Sequence, residues 1–294
     1  MKNYQTSDIK NIVLLGHSGS GKTTLAEAMA YEGKVVERRG TVETESTLSD
    51  YSDVEHLYKR SIFSTLLYTE YLDHKLNIID TPGSDDFCGA LFSSFKVADV
   101  GVLLVNAQNG FEVGTEIQAR YARRHEKPVI IAVNALDNEK AQWDSTLESI
   151  FVSSEAKPVV VQYPLNPGPD FDSFIDVLMM KMYRFKGDTG VRDEFDIPES
   201  EMARAAELHN TLVEAAAEND EALMELYFEK GTLTQDEMRS GLKVGLANRD
   251  LVPVFCLSAK KDIGVKRLME FIINVAPGPK KAPNFRTQAG GEVE

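Results

Sequence analysis

Short apolar runs alternate with helix-length stretches through the first half of the chain. Asn11 to Leu15 (NIVLL) is a short run stopped by Gly16, and it predicts a buried strand. Thr23 to Tyr31 (TTLAEAMAY) predicts a helix, with Gly33 placed to cap its end. Further strands are expected at Leu76 to Ile79 (LNII), Val100 to Val105 (VGVLLV), Val129 to Val133 (VIIAV) and Val252 to Leu257 (VPVFCL). Helices are expected at Glu112 to Arg124, near Glu139 to Phe151, and at Val265 to Val275, where Val265, Leu268, Ile272 and Val275 share one face. Strands alternating with helices imply an α/β fold, a mostly parallel sheet covered on both sides.

The alternation breaks between about Lys157 and Asp250. Extended segments are expected at Val159 to Tyr163 and near Met179 to Phe185, separated by the turn NPGP at Asn166 to Pro169. Three helices follow, at Ser200 to Ala217, Asp220 to Glu229 and Gln235 to Ala247. Gly231 stops the second, and Thr234 and Glu237 have capping-box spacing for the third. This stretch reads as an α+β subdomain, 157–250, inserted into a domain made of 1–156 and 251–277. The tail 278–294 is rich in Gly, Pro and charge and reads as a linker or a disordered terminus.

Charge adds a partner question. The net charge is −14. Between Asp193 and Glu237 there are 14 acidic residues against Arg204 and Lys230, a local −12; the rest of the chain carries 32 acidic and 30 basic residues, or −2. An acidic segment cannot neutralise phosphates, so DNA and nonspecific RNA are excluded there; a basic protein surface or a solvated helix face fits it. No 18-residue apolar run occurs, and the start MKNYQTSDIKN lacks a signal-peptide core, so a cytoplasmic protein with no membrane contact is expected. Cys88 and Cys256 read as free thiols. His56, His74, His125 and His209 have no metal-ligand spacing, and Trp143 reads as a packing residue.

Chemistry enters at Gly16 to Thr23, GHSGSGKT, which fits G-x-x-x-x-G-K-[ST] between an expected strand and an expected helix. In such a loop Gly16, His17, Ser18, Gly19, Ser20 and Gly21 curl so that backbone N–H groups face phosphate oxygens, and the helix start adds partial positive charge. Lys22 would reach the β and γ phosphates, and the Thr23 hydroxyl, followed by Thr24, would ligate Mg²⁺. Asp80-Thr81-Pro82-Gly83 ends the LNII strand: Asp80 can hold Mg²⁺ through a water, and the Gly83 N–H can bond a γ-phosphate. Asn134-Ala135-Leu136-Asp137 ends the VIIAV strand. Asp137 can accept hydrogen bonds from N1 and N2 of guanine, a donor pair adenine lacks, while Asn134 braces neighbouring loops. Ser258-Ala259-Lys260 ends the last strand, where the Ala259 N–H can bond guanine O6. A small-molecule kinase would share the first loop but would prefer ATP, and the two base loops argue against it.

With these motifs in place the chain resembles the translation GTPases, and among them the N-terminal part of bacterial elongation factor G. GHSGSGKTT is similar to that family's A-H-I-D-A-G-K-T-T, DTPGSDDF to D-T-P-G-H-V-D-F, and NALD stands where the family has N-K-M-D. SAKKDIGV resembles its last nucleotide loop, and VVVQYPLNPGPDFDSFIDVLMMKMYRF resembles its insert. The resemblance implies a three-layer P-loop GTPase fold with a mostly parallel sheet and an inserted α+β subdomain. It also implies GTP/GDP and Mg²⁺ as cofactors, the ribosome as partner, further downstream domains and a monomeric state. The acidic helices carrying Glu207, Glu214, Glu218 and Glu225 match the region that meets the ribosomal stalk protein.

Four departures from the family matter. Ser84 replaces the histidine that orients the attacking water, and serine has no base near neutral pH; the loss of such a group costs roughly 10²–10⁴ in rate. Phe63, in Arg60-Ser61-Ile62-Phe63, stands at the first-switch threonine that closes over Mg²⁺, with Ser64 or Thr65 as substitutes after a register shift. Ala135 replaces a lysine whose stem packs on the base, and Gly19 replaces an aspartate. The expectation is a domain that binds GTP and hydrolyses it poorly. The alternatives are an active ribosome-stimulated GTPase, with Asp85 or Asp86 orienting water, and a tetracycline-resistance-type ribosomal protection factor.

Overall fold

The computed structural model describes residues 2–279 and the backbone of 285–286 and 292–293. Seven strands form the main sheet: β1 (Ile9–Leu15), β2 (Thr65–Tyr71), β3 (His74–Asp80), β4 (Val100–Asn106), β5 (Val129–Asn134), β6 (Lys157–Val160) and β11 (Leu251–Cys256). Their order is β2-β3-β1-β4-β5-β11-β6, and every neighbour pair is parallel except β2 with β3. Ile12 to Leu15 and Val100 to Val105 are buried without alternation. Continuous apolar strands of this kind are dictated by cover on both faces. That cover comes from α1 (Lys22–Glu32) packed on α9 (Val265–Val275), and from α3 (Cys88–Val97) and α4 (Val113–Arg124) lying against β1 and β4; a short helix, α2 (Asp53–Tyr58), precedes β2. Val265, Leu268, Ile272 and Val275 are all fully buried, as their shared face requires.

Three local expectations are revised. Gly33 does cap α1, but at φ −83; the left-handed residue is Lys34. Gly33 is needed for space instead, because a Cβ there would lie 1.7 Å from Thr69 Oγ1. The helix expected from Glu139 starts later, as α5 (Trp143–Ser153), because Asn138 Oδ1 accepts the Lys140 N–H in a local turn. The hairpin strand β2 has no counterpart among the expected strands. Its turn is Leu72-Asp73, both at positive φ, so the usual Asn-Gly signal is missing.

The second sheet holds β7 (Gln162–Pro164), β8 (Ser173–Asp176), β9 (Lys181–Phe185) and β10 (Arg192–Phe195), antiparallel in the order β10-β9-β8-β7. Three helices follow: α6 (Glu199–Ala217), α7 (Glu221–Lys230) and α8 (Gln235–Asn248). Gly231 caps α7 at φ 72, and Thr234 and Glu237 form the expected capping box on α8. One strand of the expected insert, β6, belongs to the main sheet through β11. Glu207, Glu214, Glu218 and Glu225 are exposed. Two of them have partners within the chain: Glu218 pairs with Lys157 at 3.0 Å, and Glu214 accepts from the Tyr227 hydroxyl. Both cysteines are free, Trp143 is buried, and no helix among the described residues is long and apolar enough to cross a membrane. The expected linker 278–294 lies mostly outside the described residues; within it, β12 (Phe285–Arg286) and β13 (Glu292–Val293) pair antiparallel.

The two sheets are joined by a buried charge. Arg267 on α9 donates to Asp176 on β8 through Nε at 3.0 Å and Nη2 at 2.8 Å. Asp176 also accepts from Gln162 Nε2 at 3.1 Å and is fully buried. Removing Asp176 leaves the buried Arg267 with Glu270 as its remaining partner and leaves Gln162 Nε2 without its acceptor. Asp176→Ala is therefore expected to lower the unfolding free energy by about 2–3 kcal/mol in urea titration, below the full cost of an isolated buried charge. A loss under about 1 kcal/mol would show that the pair does not carry the junction.

Candidate nucleotide site

The loops that follow β1, β3, β5 and β11 meet at the carboxyl ends of their strands, where open α/β sheets bind ligands. The first loop is shaped by Gly16, Gly19 and Gly21 at φ 133, 81 and 94. Its start is anchored from a distance, because the Gly16 N–H donates to Gln118 Oε1 on α4 at 2.7 Å. Lys22 folds back over the loop, donating to the Gly16 and His17 carbonyls at 2.8 and 3.1 Å. Burial pushes its ammonium down to about 8, against the opposing pull of Asp80 and Asp50. His17 lies 3.9 Å from Glu112, and a Cβ on Gly114 would lie 2.3 Å from its Nδ1, so its ring occupies packed space.

Asp80 brings the second loop to the first. Its Oδ2 accepts from the Thr23 hydroxyl at 2.7 Å and from Ser49 at 2.8 Å, and its Oδ1 is buried without a partner. Burial pushes this carboxyl up. Gly83 lies directly on the phosphate loop: a Cβ there would be 2.5 Å from Lys22 Nζ and 2.6 Å from the Ser18 nitrogen. Ser84 comes next, at the start of the 3₁₀ turn Asp85–Phe87, and its hydroxyl donates to Asp86 at 3.3 Å.

In the first-switch segment the side chain at the expected threonine position faces outward. Phe63 is 56% exposed, and its N–H donates to Glu55 at 3.2 Å. Ser64 accepts from Ser94 at 3.5 Å, and Thr65 donates to the Ser49 carbonyl at 3.0 Å. The hydroxyl that reaches Thr23 is that of Ser61, at 3.1 Å. Asp50 sits beside this group, 6% exposed with Oδ1 unpartnered, and burial raises it to about 6. Ser49, Asp50 and Gln118 carry no motif, and Ser61 lies inside RSIF at a position to which the resemblance gives no role. Only the clustering of Ser and Asp in STLSDYSD hinted at polar work there.

Asn134 ties the base loops to the phosphate loop. Its Nδ2 donates to the Ser20 carbonyl at 2.8 Å, and its Oδ1 accepts the Ala259 N–H at 2.9 Å. That last bond uses the N–H expected for guanine O6. Ser258 donates to Asp137 Oδ1 at 2.7 Å and so fixes the carboxylate. Ala135 stands at φ 62, an uncommon backbone state for a residue with a side chain. A cavity of about 420 Å³ opens here, lined by Gly21, Thr24, Ala135, Asp137 and Lys260. A groove of about 650 Å³ between α4 and α5 lies at the opposite strand ends, away from these loops.

Asp262, in the last loop, is 1% exposed, and neither of its carboxylate oxygens has a hydrogen-bond partner. Burial first, and the facing Glu32 of α1 next, push it well above the usual aspartate range; Arg39 and Lys266 oppose them. The folded chain therefore holds a proton that the unfolded chain releases. The associated stability is present below about pH 4 and is lost as pH rises towards the raised value. Unfolding free energy should fall by about 1–2 kcal/mol between about pH 5 and about pH 8, and Asp262→Asn should flatten that slope. An unchanged slope in the variant would assign the effect elsewhere.

Comparison with known proteins agrees with this geometry. The model of the elongation factor Tu GTP-binding domain matches residues 7–278. A crystal structure of a protein from Thermus thermophilus superposes with a TM-score of 0.87 at 30% identity, over 94% of this chain and 41% of that one. The chain therefore spans less than half the length of that relative. A match over nearly all its length places the chain in the translation GTPase family, as a GTP-binding domain of the elongation factor Tu type.

Proposed function

We propose that this domain is the guanine-nucleotide switch of an elongation-factor-G-like factor that acts on the ribosome in the cytoplasm, with GTP occupancy rather than rapid hydrolysis as its output. Ser84 carries the reading. Its hydroxyl has no base character, is engaged with Asp86, and follows a Gly83 that lies against Lys22. Lys22 would meet the β and γ phosphates, whose negative charge offsets the desolvation of its ammonium. Thr23 and Asp80 fit Mg²⁺: a hydroxyl and a buried carboxylate 2.7 Å apart, the carboxylate with one oxygen free to accept from a metal-bound water. When bound, the ion would neutralise charge between the phosphates. Among the described residues no cluster of three or more His, Cys, Asp or Glu offers an all-protein cage, in keeping with a Mg²⁺ held largely by phosphate and water.

Asp137 would read guanine N1 and N2, held in place by Ser258. Asp137→Ala removes two charge-assisted hydrogen bonds and should weaken GTP binding by about 10²-fold or more in calorimetry while leaving ATP binding unchanged. Equal effects on both nucleotides would remove the guanine assignment. The acidic face of α6 and α7 fits a basic surface patch on a partner, and the resemblance makes the ribosomal stalk protein the candidate.

The hydrolytic question is tested by phosphate release with and without ribosomes, on a chain that carries the downstream domains. Little ribosome-stimulated release is expected from the unsubstituted protein. Ser84→His should raise it by about 10²–10⁴. The Ser84–Asp86 hydrogen bond favours one second reading, in which Asp86 orients the water. Fast release that collapses in Asp86→Ala would establish that reading in place of the first.

A further inference from the structure

Both loops assigned to the base are held from outside by the second sheet's connections. The Gly168 N–H, in the turn between β7 and β8, donates to the Leu136 carbonyl at 2.7 Å, inside NALD. Lys261, inside SAKKDIGV, donates to the Pro169 carbonyl of the same turn. The tip of the β9–β10 hairpin is held as well. Lys266 Nζ donates to the Gly190 carbonyl at 3.3 Å, and the Arg39 guanidinium reaches the Asp188 carbonyl through Nη2 at 2.9 Å. The other arm of that guanidinium donates to the Ala259 carbonyl at 3.2 Å.

Arg39 therefore closes a continuous path. Asp188 O accepts from Arg39, and Arg39 donates to Ala259 O. The Ala259 N–H donates to Asn134, and Asn134 donates to Ser20 O in the phosphate loop. Arg39 lies in the segment between α1 and the first switch, its guanidinium 5.6 Å from the centre of the Tyr31 ring. A planar fork of donors can hold two carbonyls on different elements at once; a lysine ammonium of the same charge lacks that fixed geometry. The hairpin tip has no slack. Gly190 is at φ 64, and a Cβ there would lie 2.0 Å from Glu32 Oε1 and 2.8 Å from Asp262 Oδ2.

We propose that Arg39 is a positioning residue for guanine, setting the Ala259 loop through its carbonyl, and that it makes nucleotide release depend on where the β9–β10 hairpin sits. Displacing the hairpin removes one anchor of the guanidinium. The Ala259 loop then loses one of its two outer restraints, the other being Lys261 on Pro169, and with it the setting of the Ala259 N–H, which donates to Asn134 and would be shared with guanine O6 when the base is bound. A protein bound on the second sheet or on α6 thus has a mechanical route to the nucleotide that does not cross the phosphate site. The proposal rests on the reading of Ala259 as the O6 contact and Asp137 as the N1 and N2 contact.

The test uses the full chain and two ligands, GDP and the 2-aminopurine riboside diphosphate, which keeps the 2-amino group and lacks O6 and the N1–H; each variant is compared with the unsubstituted chain on the same nucleotide, so the missing N1 contact cancels. Arg39→Ala should speed GDP release on the order of tenfold, the effect of losing about one hydrogen bond, and leave release of the 2-aminopurine nucleotide within twofold of the unsubstituted rate. Arg39→Lys should fall with Arg39→Ala, because the charge is kept and the bridge is lost. Gly190→Ala should speed GDP release as well, and the double variant should be no faster than the faster single one. Thermal midpoints measured alongside separate release from unfolding. Unchanged GDP release in a folded Arg39→Ala, equal acceleration of both nucleotides, or full rescue by lysine would each overturn the proposal. A guanine reading that is itself wrong shows separately, as an unsubstituted chain that binds GDP no better than ADP, and the proposal falls with it.

Discussion

One side-chain amide holds the nucleotide face together. Asn134 closes β5, and its two ends bond in opposite directions: Nδ2 to the phosphate loop at Ser20 and Oδ1 to the last loop at Ala259. The contact is close enough that a Cβ on Gly21 would lie 2.2 Å from Nδ2. Loops from three separate strands are thus fixed by one planar group with a donor and an acceptor. Asp137 and Ser258 add a second tie between the same two base loops. The parallel sheet makes this possible, since it delivers the carboxyl ends of β1, β5 and β11 to one edge.

The parts legible in the sequence were those whose physics is local. GHSGSGKT announces itself because the turn, the phosphate-facing amides and the helix start all lie within eight consecutive residues. VIIAV and VGVLLV read as buried strands because cover on both faces demands unbroken apolar runs. What stayed hidden depends on distance along the chain. Gln118 supports Gly16 from 102 residues away, and Arg39 meets Ala259 across 220. β2 stayed hidden for a different reason. As an edge strand it mixes exposed Leu66, Tyr68 and Glu70 with its inward residues, and its turn lacks glycine.

The first switch separates what a family resemblance fixes from what the local fold fixes. Aligning RSIF with the family's motif puts attention on Phe63, whose ring lies in solvent. The helix Asp53–Tyr58 and the carboxylate of Glu55, which accepts the Ile62 and Phe63 N–H groups, turn the chain so that Ser61 faces Thr23. A position in an alignment fixes a place along the backbone. Which side chain reaches the neighbouring loop is decided by how the preceding helix ends, here at Lys59 in a left-handed conformation.

The place of β6 gives the second sheet and its helices a role in the chain path. β6 and β11 are adjacent and parallel, so the chain leaving one must return to the far end of the other before it can pair. Parallel neighbours cannot be joined by a tight turn; they need a crossover, usually a helix. α8 supplies it: it leads directly into β11 and packs on α9. The segment between the two strands is therefore no removable ornament. Its last helix returns the chain to the start of β11, and its earlier part bears on the sheet as well, with α6 packed on the edge strand β6 and β8 carrying the Asp176 that holds Arg267.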